Sequence, residues 1–456
     1  METEPPARPQ HDLRSWLEFQ RGRGRLATVS RAVDPRFEIP ALLSALDGSH
    51  TLLARDAGNG RAFSGNSVVS REDFASALDC EWRDLTEVLL RVRPRRKGER
   101  RAAPAPTTLH LQCAPDLDRM VVCTHHERDQ GPYLTSGVMI VADPDEQREN
   151  WSINRLHVAG QRTLHGLVQP GNARRTLERH WASGNDAPVA IVCGVHPLAL
   201  LATQMRGPEP RDGLLTYEDL CAAPVATITM PAAGVEVPAH AEWILEAKIA
   251  RERRGREGPF GEFPRTYGAA HDDGLIIEIE SMWHREAPIS QTILPAGREH
   301  LLLGGLAREA AIVQGLRTGG FDVAAVRLTE GGACRFHAVV SCGASDQPSA
   351  DLLEAIVTLD PLIKHVVLVD VDIDVHDAGQ VEWALSTRFR ADRDIVVLTD
   401  RPGTKLDPAS DAGRVAKLVM DARIGSREHL ARRRISIPGA DAIRLSDYLD
   451  GDRSHP

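Results

Sequence analysis

Apolar residues first recur at helical spacing, in LRSWLEF at 13–19 and in the longer stretch REDFASALDCEWRDLTEVLLRV at 71–92, which Ser70 opens as an N-cap. Between them SHTLLARD at 49–56 carries the short apolar run of a strand. This pattern predicts an N-terminal α/β lobe with one continuous amphipathic helix over 71–92. RPRRKGERRAAPAPTT at 93–108 then breaks the periodicity. Its charge and its Pro/Ala content predict a solvated linker and a domain boundary.

From 109 onward the pattern is one of short apolar stretches with turn residues between them: LHLQC, RMVVCTHH, LTSGVMIVADP, NRLHVAG and TLHGLVQP. They predict strands. NARRTLERHWASG at 172–184 is helical in period, APVAIVCGV at 187–195 reads as a buried strand, and GLIIEIESMWHRE at 274–286 alternates as a strand. The middle of the chain is therefore β-rich. From 298 the periods alternate again, with helices at REHLLLGGLAREAAIVQGL, PSADLLEAIVTL and VEWALSTRF, and strands at FDVAAVRLTEG, CRFHAVVSC and HVVLVDVDIDV. Such alternation predicts a second α/β lobe. Asp370, Asp372 and Asp374 fall on one face of the last strand. The glycine and the later glutamate of a calcium loop are missing there. The boundaries expected are 1–105, 106–294 and 295–456, with no internal repeat.

The length of 456 residues exceeds one ordinary core, and 42% hydrophobic residues suffice for several. A net charge of −9 excludes a uniform basic field for nucleic acid. No apolar run reaches the roughly 20 residues of a membrane span. The start, METEPPARPQ, has no signal-peptide pattern and reads as a short disordered lead-in. Seven scattered cysteines without a C-x-x-C pair fit reduced thiols and a cytoplasmic location. Neither a Walker motif nor G-x-G-x-x-G occurs. The adjacent His125 and His126 should point to opposite strand faces, which excludes joint metal ligation. His196 starts a helix or lines a pocket.

Candidate chemistry concentrates in REGPFGEFPRTY at 256–267. Glu257 and Glu262 flank a Gly-Pro-Phe-Gly turn that is too stiff for a helix interior. Two carboxyls held in different environments suit an acid and a base, and two solvated glutamates on a surface loop fit the same letters. A second stretch, NWSINR at 150–155, shifts the balance.

Asn150, Arg155, Glu257 and Glu262 together resemble the signature of the UbiD family of prenylated-FMN-dependent decarboxylases. GPYLTSGVMI at 131–140, VPAHAEW at 237–243, KHVVLVDVDID with WALSTR, and KLDP followed by DAR resemble the family further, from about Thr51 to Ala422. The resemblance implies an α+β multidomain fold: an N-terminal α/β lobe, a central split β-barrel that binds flavin, and a C-terminal α/β lobe with an oligomer interface. It implies a reversible, non-oxidative carboxy-lyase for an aromatic, heteroaromatic or α,β-unsaturated acid. Prenylated FMN would come from a flavin prenyltransferase partner, and the protein would be a homodimer or higher oligomer. Glu262 would be the proton donor, with Arg155 and Glu257 completing the triad. Asn150, Trp151, Ser152, Ile153, Arg155, Gly171, Asn172, Thr203, Gln204 and Met205 would contact cofactor. Pocket walls are expected around Phe263, Arg265, His300, Leu303 and the Leu406 loop. The family's Mn²⁺ or Mg²⁺, with K⁺ nearby, would fall to Asn150 and Asn172. The family's histidine is Asn172 here, its glutamate has no counterpart near Asp212–Leu214, and His165 and Glu218 are displaced candidates. The family's phosphate lysine is missing, with Thr358 near its place and Lys364 close by. The alternatives are other flavin or metal chemistry on the same triad, and a degenerate relative that binds flavin or a partner without decarboxylase activity.

Overall fold

The computed structural model describes residues 11–424, apart from 101, 208 and 344–346, and isolated positions between 435 and 448. The lead-in expected at 1–10 lies outside the described residues. The first helix, Leu13–Gly22, is capped by Asp12, whose carboxylate accepts the Ser15 N–H at 2.7 Å. Strands Leu26–Val29, Thr51–Ala54 and Ala62–Gly65 follow as one sheet. Its fourth strand, Ile289–Thr292, arrives from far along the chain and pairs in parallel with Ala62–Gly65. The N-terminal lobe is thus stitched to the segment that leads into the C-terminal lobe.

The helix expected over 71–92 is two helices. Arg71–Leu78 is capped by Ser70, and it ends where Asp79 turns left-handed at φ 56°. A 3₁₀ turn, Trp82–Asp84, and a second helix, Leu85–Leu90, follow. Asp tolerates that conformation better than most residues. The break lets Phe74, Leu85 and Leu89 enter one core.

The central sheet has nine strands. Two long antiparallel partners, Trp243–Glu257 and His271–His284, form its spine. Ala187–Cys193, Val138–Ala142 and Glu149–Ile153 extend it on one side. Thr163–Gly166 and Leu156–Gly160 extend it on the other. RMVVCTHH forms no strand and makes two isolated bridges, Thr124 to Arg36 and Cys123 to Tyr133. Side chains hold it instead: Val121 N–H donates to Ser290 Oγ at 3.0 Å, and His125 Nε2 meets Thr292 Oγ1 at 2.9 Å.

The C-terminal sheet runs in the order Val323–Leu328, His337–Cys342, His365–Asp370, Arg414–Asp421, Ile395–Pro402. The strand expected through 375 stops at Asp370. Arg388, fully buried, draws in Asp370 and Asp372 at 3.2 and 2.6 Å, and this bends the chain into a turn. Helix Arg298–Thr318 joins the lobes. Leu302, Leu303 and Leu306 enter the core shared with the N-terminal lobe, while Leu301, Val313 and Leu316 enter that of the C-terminal sheet. Serving two cores leaves it without a single apolar stripe.

Most of the segment at 93–100 is exposed, as a solvated linker should be. Arg95 and Arg100 are the exceptions: they turn onto helix Gly213–Leu220, and Arg100 reaches Glu218 at 3.0 Å and Glu236 of strand Val235–Pro238 at 2.5 Å. The seven cysteines are free thiols. Among the described residues no helix is long and apolar enough to cross a membrane.

Candidate active site

Strand Trp243–Glu257 delivers Glu257 at its last position. The chain then reverses through a cis Gly258–Pro259 peptide, with Gly258 at φ 85°, where a Cβ would be strained. Phe260–Gly261 pairs with Tyr267–Gly268, and the Glu262 N–H donates to Thr266 O at 2.8 Å. The turn is therefore a small hairpin rather than a loose loop. Two side chains pin it from outside: Gly258 N–H donates to the Tyr133 hydroxyl at 3.1 Å, and Gly261 N–H donates to Asp129 Oδ1 at 2.8 Å.

Arg155 comes two residues after strand Glu149–Ile153, from the other side of the sheet. Its Nη2 donates to Glu257 Oε2 at 2.7 Å and its Nη1 donates to Glu262 Oε1. One guanidinium thus joins two carboxyls encoded about a hundred residues later. The fork of arginine suits such a bridge, whereas the point charge of lysine does not. The Glu257 side chain is wholly buried, and those of Arg155 and Glu262 are 11% and 13% exposed. Glu262 is therefore the carboxyl with access to a ligand. Phe260 lies under the guanidinium, 5.3 Å from its carbon. Burial, with the Glu257 carboxylate beside it, pushes the Tyr133 phenol well above its ordinary range.

The triad opens on a cavity of about 240 Å³. Ile153, Asn154, Arg155, Gln169, Thr135 and Ile293 line it. His300, Leu303 and Gly304 of the joining helix line it too, as does Arg335. Leu406 also lines it, on a loop held by Lys364 to Asp407 at 2.9 Å. A Cβ on Gly268 would touch Glu262, Arg155 and Leu406 alike, which shows how closely that loop covers the triad.

Of the residues expected at the cofactor, Ile153, Arg155 and Gln204 line this cavity. Asn150 is buried nearby on the same strand, with its Nδ2 free of any protein partner. Trp151 turns into the core beneath helix Gly213–Leu220. Ser152 Oγ accepts from Asn154 at 3.0 Å. Thr203 Oγ1 donates to the Leu200 carbonyl, and Met205 packs on the N-terminal core. Gly171 precedes helix Asn172–Ala182, where Asn172 accepts from Arg175 at the surface. Phe263 packs against Phe336, and Arg265 points outward. His196 is a helix cap, accepting the Leu198 N–H. Phe260, expected beside Glu262 as an apolar wall, lines the cavity; Thr135, Gln169 and Arg335 were not singled out. For Arg335 a signal existed in Gly304-Gly305, an odd pair inside a helical period unless something must approach closely.

Orphaned donors fit a polar ring system: Asn150 Nδ2 and Arg155 Nε are buried without protein partners. The residues proposed for a divalent ion do not fit one. Asn172 is at the surface and engaged, and His165 Nδ1 lies 2.8 Å from the Arg256 carbonyl. Glu218 is neutralised by Arg100, with Arg95 at 3.8 Å. Among the described residues no group of three or more His, Cys, Asp or Glu assembles. Hard cations require anionic oxygens that this shell lacks.

A centre that holds an acid and presents one carboxyl to it suits a carboxy-lyase. Comparison with known proteins reaches the same class. Residues 97–298 match the Rift-related domain, and residues 301–422 the C-terminal domain, of the family described as 3-octaprenyl-4-hydroxybenzoate carboxy-lyase, UbiD. The chain is 33% identical to the anhydromevalonate phosphate decarboxylase of Methanosarcina mazei over 88% of its own length and 93% of that protein's. Its fold matches the UbiD-class enzyme HmfF of Pelotomaculum thermopropionicum, solved with FMN, at a TM-score of 0.89 and 37% identity, covering 96% of this chain and 100% of the other. An evolved dimeric form of that enzyme, solved with prenylated FMN, matches at 0.84 and 35% identity, with the same coverage. The chain belongs to the UbiD family. It is a carboxy-lyase with the multidomain α+β fold of that family.

Proposed function

We propose that the protein is a prenylated-FMN-dependent decarboxylase of an aromatic, heteroaromatic or α,β-unsaturated acid, with Glu262 as proton donor. The observation that carries this reading is Arg155 bridging Glu257 and Glu262 at the wall of the cavity. Loss of CO₂ breaks a carbon–carbon bond and leaves an electron pair on an sp² carbon. Prenylated FMN, when bound, supplies the sink for that pair. The chain's own residues do the rest. Asn150, Ile153 and Gln204 would hold the ring system. Leu303, Phe260 and Leu406 keep water away, which strengthens every charge interaction inside. Arg155 balances one negative charge, so the triad is neutral when one of its two carboxyls carries a proton. Glu262, the one facing the cavity, delivers that proton to carbon. In the carboxylation direction it takes it back.

Glu262→Gln keeps the size and one hydrogen-bonding oxygen but removes the transferable proton. Turnover of a panel of unsaturated acids is expected to fall by roughly 10²–10⁴-fold, while protein co-expressed with a flavin prenyltransferase keeps its flavin absorption. Wild-type rates of CO₂ release and deuterium exchange in the variant would remove Glu262 from the chemistry. A wild-type protein that is colourless and inert would favour the degenerate relative instead. The retained triad speaks against that, because a scaffold has no use for a buried Arg between two carboxyls. Self-association is also part of the proposal: Ile395 and Val397 stand 40% and 52% exposed on the edge strand of the C-terminal sheet, a surface a second copy would cover.

A further inference from the structure

Arg155 gives one guanidinium N–H to each carboxyl of the triad, so it does not choose which of them holds the shared proton. Their surroundings do differ. The Glu262 side chain takes the Arg155 N–H and otherwise faces the cavity. Glu257 is wholly buried, and its second oxygen, Oε1, has no hydrogen-bond partner of its own. The Tyr133 hydroxyl stands beside that carboxylate. Its oxygen accepts the N–H of Gly258, the residue after Glu257, at 3.1 Å, and so is fixed at the root of the turn. Its proton remains to be given, and Glu257 is the carboxylate that acts on it. Burial, with that charge, keeps the phenol protonated. The ring is buried as well. It sits in strand Tyr133–Leu134 against strand Leu156–Gly160, and it packs 4.4 Å from the Phe260 ring, which lies under the Arg155 guanidinium. The other titratable and charged groups around the pair are occupied otherwise. His157, 5.2 Å from the Tyr133 ring, is driven down to about 4 by burial with His165 behind it, and is neutral. His271, across the sheet from Glu257, lies 4.0 Å from Asp273. Arg256 is 3.7 Å from Asp272, and Asp129 takes the Gly261 N–H beside His126.

Of two carboxyls that share one cation and one proton, the one that accepts an extra hydrogen bond is the better anion. We infer that Tyr133 is a positioning residue for the reaction: its O–H donates to Glu257 and makes Glu257 the fixed anion of the triad, which leaves the transferable proton on Glu262. The role in turnover rests on the decarboxylase reading with Glu262 as donor, while the contact itself rests on the geometry around Glu257. Tyr133 passes no proton on. Its O–H stays intact throughout. When Glu262 has given its proton to carbon, both carboxyls are anionic, and the next proton from solvent returns to Glu262 because Glu257 is already satisfied.

The test uses the flavin-loaded full chain and Tyr133→Phe, which keeps the ring and removes the O–H. The kcat for CO₂ release is expected to fall roughly 10–100-fold, the worth of one hydrogen bond to a charged group, with KM changed less than about threefold and flavin absorption retained. The alkaline limb of the pH–rate profile should move to higher pH, because a proton shared by two carboxyls is lost later than one held by Glu262 alone. In a Glu257→Gln background the same change should cost less than about threefold, since the partner it acts through is gone. An equal loss in both backgrounds, or a loss with an unmoved profile, makes Tyr133 a prop of the turn and overturns the proposal. A second measurement does not depend on turnover. The chain has four tyrosines, so labelling with fluorotyrosine gives four fluorine resonances. The Tyr133 line is assigned by its loss in Tyr133→Phe or, should that variant fail to fold, by replacing the other three. It should stay fixed while the exposed Tyr267 ionises, and should begin to move at lower pH in Glu257→Gln. A Tyr133 line indifferent to Glu257 overturns the hydrogen bond, whatever the activity. A wild type that releases no CO₂ from any acid, with a Tyr133 line that does respond to Glu257, overturns the decarboxylase reading and leaves the hydrogen bond standing.

Discussion

Gly261 shows how much of the site depends on single positions. A Cβ there would fall 2.3 Å from His126 Nδ1, and Asp129, 3.4 Å from that nitrogen, also accepts the Gly261 N–H. Gly261→Ala should therefore strain the hairpin that presents Glu262. The expected destabilisation is about 1–3 kcal/mol by overpacking, seen as a lower urea midpoint, together with a fall in turnover larger than any change in flavin occupancy. Unchanged turnover would mean that the hairpin tolerates displacement. At this scale the sequence was informative where chemistry demands particular letters. Arg155, Glu257 and Glu262 stood out because two carboxyls around a stiff turn are unusual. Arg335 did not, since a lone arginine before a strand has no local signature. Its meaning comes from Gly304, thirty residues earlier in the chain and one contact away in the fold. Trp151 and Met205 point the same way: position in a motif fixed neither the direction of their side chains nor the cores they enter.

Whole elements were legible where periodicity was long and unopposed. Helix Arg298–Thr318 and the alternating strand within His271–His284 belong to this group. Expectations failed where one side chain overrode the pattern. Asp79 split a helix and Arg388 ended a strand at Asp370, while Arg95 and Arg100 anchor an otherwise exposed linker to Asp219 and Glu218. The last of these is open to measurement. Arg100→Ala would leave Glu218, 2% exposed, with Arg95 as its remaining cation at 3.8 Å. Breaking one side of a buried pair costs about 3–5 kcal/mol. Chemical denaturation should show a loss near the lower end of that range, and Arg100→Ala combined with Glu218→Gln should recover part of it. A loss below about 1 kcal/mol would mean that the Arg100–Glu218 pair does not anchor the segment.

At the scale of the whole molecule, the lobes are joined by shared parts: strand Ile289–Thr292 in the N-terminal sheet, and helix Arg298–Thr318 between two cores. Several of the groups buried along these seams are titratable, and their burial sets a pH dependence of stability. His125, His196 and His300 are each driven down to about 3, mainly by burial. For a base whose folded pKa lies below its unfolded value near 6.5, the unfolded chain binds the extra proton. The stability these rings give is therefore complete above 6.5 and is lost as pH falls toward 3. Each contributes a slope of at most about 1.4 kcal/mol per pH unit in that window. Glu299, in the first turn of the joining helix beside Ser67 and Val68, runs the other way. Burial raises it to about 8. Its contribution is complete below about 4.5 and is lost as pH rises through 8. Between 4.5 and 6.5 three histidines outweigh one glutamate, so stability should climb with pH. Between 6.5 and 8 the histidines no longer titrate and Glu299 alone pulls stability down, by about 2 kcal/mol at most. The unfolding midpoint should therefore peak near pH 6.5. Glu299→Gln should abolish the decline on the alkaline side while leaving the acid limb in place, because the amide has the same shape and does not ionise. An alkaline decline that survives in Glu299→Gln would assign the loss to another group and would mean that Glu299 is already ionised when buried.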